Sequence, residues 1–86
     1  MKQRKKLEIE ERRSAEDALW EAAEKWPSEF FTRETGVVFS GGSLSVGHLA
    51  NMDCRGEGPK GAFYQGRKRI YQKKCFVEFL IRRIKI

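Results

Sequence analysis

His48, Cys54 and Cys75 carry the strongest soft-metal and nucleophile chemistry in the sequence. They do not add up to a site. Structural zinc usually takes four ligands, and no Cys-x-x-Cys or His-x-x-x-His pair occurs. Arg55 gives the Cys54 thiol a cationic neighbour, but the single histidine offers no sign of a nucleophile–base pair. The glycine-rich runs at 40–43 and 55–61 do not sit between a strand and a long helix at the spacing of a phosphate loop or dinucleotide fingerprint. The acidic residues are scattered or fall on helix surfaces. An enzyme is therefore not expected, nor a metal or cofactor.

The remaining chemistry is cationic and hydrogen-bonding, and it is concentrated between Ser43 and Lys74. Ala62–Gln65 and Arg69–Tyr71 are short runs with aromatic and β-branched residues, separated by Gly66-Arg67-Lys68. Glycine supplies the positive φ of a tight hairpin turn, so this stretch predicts a β-hairpin with a cationic tip. Gly56 to Gly61 holds three glycines and a proline and must be a loop. Before it, Leu44 to Asp53 predicts a helix capped by Ser43 or Ser45. Val46, Leu49, Ala50 and Met52 should face inward. His48, Asn51 and Arg55 follow at steps of three and four and share the opposite face. Asparagine can pair bidentately with adenine in the major groove, and arginine with guanine. Gly47 has no side chain to keep a backbone or phosphate at a distance. The alternative for this face is a solvated polar surface.

These residues must be positioned by one small domain. A chain of 86 residues buries only ~60–65% of its unfolded surface, leaving no room for both a core and a large substrate cavity. No apolar run approaches the ~20 residues of a membrane span. The basic N-terminus lacks the apolar segment of a secretory signal, and two cysteines fit free thiols in a reducing cytoplasm. The net charge of +6 is uneven. Residues 1–27 carry seven basic and seven acidic side chains, whereas residues 55–86 carry ten basic and two acidic. That asymmetry points to a polyanionic partner.

Residues 1–27 predict a helical extension, with a frayed start over 1–6 and a helix from about Leu7 to Lys25. Ala15, Leu19, Ala22 and Trp26 recur at helical spacing, and Ser14 could cap a second helix after a break at Arg13-Ser14. This helix is either a cover for the domain or a dimerisation arm. Phe30, Phe31, Val37, Val38 and Phe39 should form core. Thr32 can cap a short helix over Arg33 to Phe39, although Gly36 weakens it by ~1 kcal/mol. The last helix, about Lys73 to Ile84, carries Phe76, Val77, Phe79, Leu80, Ile81 and Ile84 and should be the main packing element.

Residues 31–84 resemble the excisionase/AlpA-like winged helix-turn-helix family of bacteria and phages, a branch of the MerR-like winged helices. Phe31-Thr32-Arg33, Leu49-Ala50-Asn51, Arg55-Gly56-Glu57-Gly58-Pro59, Phe63, Gly66-Arg67-Lys68, Tyr71, Phe76, Phe79 and Leu80 carry the resemblance. It departs from the family pattern at Gln65, Arg69 and Gln72. The resemblance implies a mostly α fold with a small β-hairpin, a winged helix-turn-helix over 28–86 with an added N-terminal helix. It also implies double-stranded DNA as partner, and a role as transcriptional regulator or excisionase-type recombination directionality factor of a phage or mobile element. The recognition helix would then use Ser45, Gly47, His48 and Asn51, with Arg55 sampling base edges beside them. Arg67 and Lys68 of the wing, with Lys60, Arg69 and Lys73, would neutralise phosphates. About five neutralised phosphates imply a log–log salt slope of roughly −4 to −5. One such module binds weakly, so dimeric or tandem binding is expected. The rival expectation is a protein-interaction module of the same fold that docks an acidic partner.

Overall fold

A computed structural model describes residues 2–85, with side chains from Glu8 to Lys85. It is a small, mostly helical α/β domain of four helices and a three-stranded antiparallel sheet. The order is α1 (Lys2–Lys25), β1 (Phe30–Phe31), α2 (Arg33–Phe39), α3 (Val46–Cys54), β2 (Phe63–Gln65), β3 (Lys68–Gln72) and α4 (Lys73–Arg82).

α1 begins earlier than its apolar pattern suggested and runs without a break at Ser14; of the expected frayed start, Met1 lies outside the described residues. The helix lies antiparallel to α4. At one end Arg12 donates to the carbonyls of Ile84 (3.0 Å) and Ile81 (3.2 Å), and at the other Lys73 Nζ donates to the Trp26 carbonyl (3.2 Å). Arg12 thereby places a cation at the C-terminal end of α4, where the helix dipole favours it. The buried stripe of α1 runs through Leu19 and Ala23 to Trp26, and Ala22 faces solvent instead. The C-terminal half of α1 thus serves as a cover.

Thr32 caps α2 in a reciprocal box: its hydroxyl accepts from the Thr35 amide (3.2 Å), and the Thr35 hydroxyl accepts from the Thr32 amide (2.8 Å). Ser45 caps α3 by accepting from the His48 amide at 3.0 Å. Leu44 and Leu49 flank that cap and share the buried cluster, the arrangement of a hydrophobic staple. Leu44 therefore takes the core place expected of Val46, which sits in the first turn with its side chain exposed.

The sheet has one strand more than the expected hairpin. Phe30-Phe31 pairs with β3 (Phe30↔Gln72, Phe31↔Tyr71), giving the order β1-β3-β2. Strand alternation sends Phe31 into the core and leaves Phe30 half exposed, correcting its assignment to the core. Val38, on the outer side of α2, is likewise exposed. The hairpin register is Gln65↔Lys68, so the turn has two residues, Gly66-Arg67, rather than three. Gly66 has φ +63 at the first central position, which a two-residue turn of type II′ reserves for glycine. β3 then passes directly into α4.

Phe76 is the hub of the core. Its ring lies 5.1 Å from Phe31, 5.5 Å from Tyr71, 6.0 Å from Phe79 and 6.4 Å from Phe39. Gly36 is buried beneath it, and a Cβ at that position would stand 2.8 Å from Phe76 Cζ. The glycine that weakens α2 by propensity is thus required by packing. Gly36→Ala is expected to destabilise the domain on the order of 1 kcal/mol, overpacking outweighing the ~1 kcal/mol of helix propensity gained. Urea denaturation measures it, and a more stable variant would refute this packing role.

Candidate nucleic-acid interface

α3 owes its orientation to a polar node beneath it. Asp53 follows Leu49 by four residues and Met52 by one, so it projects from the buried side of the helix, and only 6% of its side chain is exposed. Asp53 Oδ2 accepts from the Tyr71 hydroxyl and, at 3.1 Å, from Arg33 Nη2. Arg33 Nε also donates to the Tyr71 hydroxyl oxygen at 3.1 Å. One carboxylate thus ties α3 to the start of α2 and to β3. Gly58 closes over the node: a Cβ there would fall 2.0 Å from Asp53 Oδ1. The 55–59 loop therefore needs glycine at its second Gly position for lack of space.

Burial, and then the bond to Asp53, push the Tyr71 hydroxyl up to about 12. The Arg33 guanidinium holds its proton more firmly than usual, first through Tyr71 and then through Asp53. Folded Tyr71 keeps a proton that the unfolded chain releases near pH 10. Its contribution to stability is therefore complete below pH 10 and is lost as pH rises from about 10 to about 12, on the order of 2 kcal/mol. Denaturant titrations at successive alkaline pH values should show this fall in the wild type and a shallower one in Tyr71→Phe. Parallel curves would contradict it.

The residues that the sequence singled out fall into three groups. Ser45, Gly47, His48, Asn51 and Arg55 are exposed on α3 and its two caps, and the Gly47 position opens on free space. Arg55 Nε pairs with Glu57 at 3.2 Å, an exposed ion pair of small energetic weight. Arg67 and Lys68 are exposed at the hairpin tip. Glu34, whose own backbone amide depresses its carboxyl pKa, is lowered further by the nearby Lys68 charge. Lys60 stands apart from the tip, beside Arg82 and Arg83 at the far end of α4.

Arg69 and Lys73 are placed differently. Arg69 is turned inward, with Nε 3.7 Å from Asp53 Oδ2 and its guanidinium 5.0 Å from the centre of the Tyr64 ring. The Lys73 side chain is 13% exposed, and its Nζ is committed to the Trp26 carbonyl and, at 3.4 Å, to Glu29. It secures the junction of α1 and α4 rather than the face shared by α3 and the hairpin.

Ala50 and Cys54, on one edge of α3, line a recess together with Tyr64 and Arg69 of the hairpin. This edge of α3 and the hairpin are therefore neighbours. Sequence reading missed the Arg33–Asp53–Tyr71 node. A signal existed, since Asp53 is a carboxylate one helical turn beyond Leu49 on the inward stripe and must find partners there. Which partners it finds depends on residues 18 and 20 positions away.

Among the described residues no group of three or more His, Cys, Asp and Glu side chains gathers to hold a metal, and no helix is long and apolar enough to cross a membrane. No protein-family model matches the chain, and no curated protein or solved structure is significantly similar to it.

Proposed function

We propose that the chain binds double-stranded DNA as a winged helix-turn-helix, with α2 and α3 as the helix pair, α3 as recognition helix and β2–β3 as wing. One observation carries this reading: α3, which exposes His48 and Asn51, meets along its Ala50–Cys54 edge a hairpin whose tip exposes Arg67 and Lys68. The mechanism is positional. The Asp53 node fixes α3 against β3, so base-reading groups and wing cations approach a duplex in one rigid body. Arg67, Lys68 and Lys60 neutralise phosphates, while His48, Asn51 and Arg55 sample base edges. By the resemblance of residues 31–84, the setting is a cytoplasmic regulator or excisionase-type directionality factor of a phage or mobile element, with dimeric or tandem binding.

With Lys73 held between Trp26 and Glu29, about three to four phosphates are neutralised. The slope of log K against log salt should then be about −3 to −4, shallower than the composition suggested. Titrating a labelled duplex from low to moderate salt measures it, and a slope near zero would remove the electrostatic mechanism.

One observation favours the second reading, a module that docks a protein partner. Phe30 and Phe63 meet edge to face at 6.1 Å on the outer side of the sheet, and both are exposed. Under that reading Phe63→Ser abolishes activity, whereas changing Arg67 and Lys68 to alanine leaves it largely intact.

A further inference from the structure

The recess between α3 and the hairpin is lined by Arg33, Ala50, Asp53, Cys54, Tyr64 and Arg69 and has a volume of ≈ 190 Å³. Two guanidinium groups face one carboxylate, so positive charge is left over. Asp53 Oδ1 lies beneath Gly58 and is buried without a hydrogen-bond partner. Asp53 Oδ2 is already taken by Tyr71 and Arg33. Arg69 Nε, at 3.7 Å, is too far for a hydrogen bond and is buried without a partner. Among the described residues, no hydrogen bond uses the Nη atoms of Arg69 or Nη1 of Arg33. The Tyr64 ring holds the Arg69 guanidinium in place, which lowers the entropic cost of engaging a ligand. A planar, preorganised fork of unused N–H donors is what a tetrahedral oxyanion accepts best.

We propose that this recess seats one phosphodiester of the DNA backbone, bound by Arg69 and Arg33 with Tyr64 at the rim. The assignment rests on the duplex-binding reading, because a strand passing from the α3 face to the hairpin tip crosses this seam. It adds Arg33 and Tyr64 to the contact surface. It also gives Arg69 a role distinct from that of the tip residues: Arg69 sets the register of the backbone, whereas Arg67 and Lys68 supply exposed charge.

Two measurements test it. Inorganic phosphate is titrated into the ¹⁵N-labelled protein and followed at the Arg69 Nε–H and at the Ala50 and Cys54 amides. Saturable shifts confined to these groups, absent in Arg69→Gln, are expected. No localised shift overturns the site, whether or not the protein binds DNA. The second measurement scans a duplex with single neutral methylphosphonate linkages. Wild-type affinity should drop roughly tenfold at one linkage, as loss of a charged contact predicts, and Arg69→Gln should lose that sensitivity while Arg67→Ala keeps it. Tyr64→Leu, on an exposed side chain, should weaken duplex binding severalfold with folding intact and serves if Arg69→Gln does not fold. Localised phosphate shifts without any duplex binding would remove DNA as the occupant and with it the functional reading. Duplex binding with no linkage coupled to Arg69 or Tyr64 would overturn the proposal and leave that reading standing.

Discussion

Asp53→Ala should destabilise the domain by about 3 kcal/mol or more, the largest loss expected from any single polar side chain of α3. The carboxylate accepts from Tyr71 and Arg33 and offsets the charge of Arg69, yet it is almost fully buried. Its removal leaves a buried phenol without an acceptor and two poorly exposed guanidinium groups without a counter-charge. Each is a desolvated polar group that water reaches only by opening the structure. For a domain this small, 1 kcal/mol shifts the melting temperature by roughly 4–8 °C, so a fall of more than about 12 °C is expected by circular dichroism. Asp53→Asn keeps an acceptor and loses the charge, and should fall between the two. If Asp53→Ala melts within about 4 °C of wild type, the node does not anchor α3, and the positional mechanism loses its support.

Arg67→Ala/Lys68→Ala should lower duplex affinity roughly ten- to a hundredfold at low salt and reduce the magnitude of the salt slope by about 2. Both side chains are exposed at the turn and neither belongs to the buried core, so the melting temperature should hardly change. The pairing of large binding loss with unchanged stability separates a contact role from a structural one. Glu34 refines the expectation. Its carboxyl lies close enough to Lys68 for their charges to interact, so Lys68→Ala alone should cost less than Arg67→Ala. Duplex binding that survives the double substitution, with its salt slope intact, would place the phosphate contacts elsewhere and favour the protein-docking reading.

Much of the local structure was legible in the chain. Thr32 and Ser45 are caps because their hydroxyls can accept from an amide three residues on, a purely local geometry. Gly66 marks the turn because a two-residue hairpin needs positive φ there. The apolar spacing of 76–80 defined the packing helix before any partner was known. The strand at Phe30-Phe31 was not legible, since two residues have no periodicity of their own and become a strand only by pairing with β3. The start of α1 was missed for a related reason: its first turns lack the apolar stripe by which a helix is read.

The candidate functional residues divide along the same line. Sequence alone determined which groups could meet a polyanion: the glycine-led basic turn, the polar steps His48, Asn51 and Arg55, and the positive balance of residues 55–86. These are properties of residue type and short spacing. Tertiary structure decided which of them remain available. Lys73 is drawn to the Trp26 carbonyl and Glu29, and Arg69 to Asp53 and Tyr64, because folding brings those distant groups within reach of each cation. Gly36 was a liability by helix propensity and became a requirement only once Phe76, forty residues later, lay against it. Charge and propensity belong to the chain, whereas the partner that spends a charge or fills a space is chosen by contacts that no local pattern encodes.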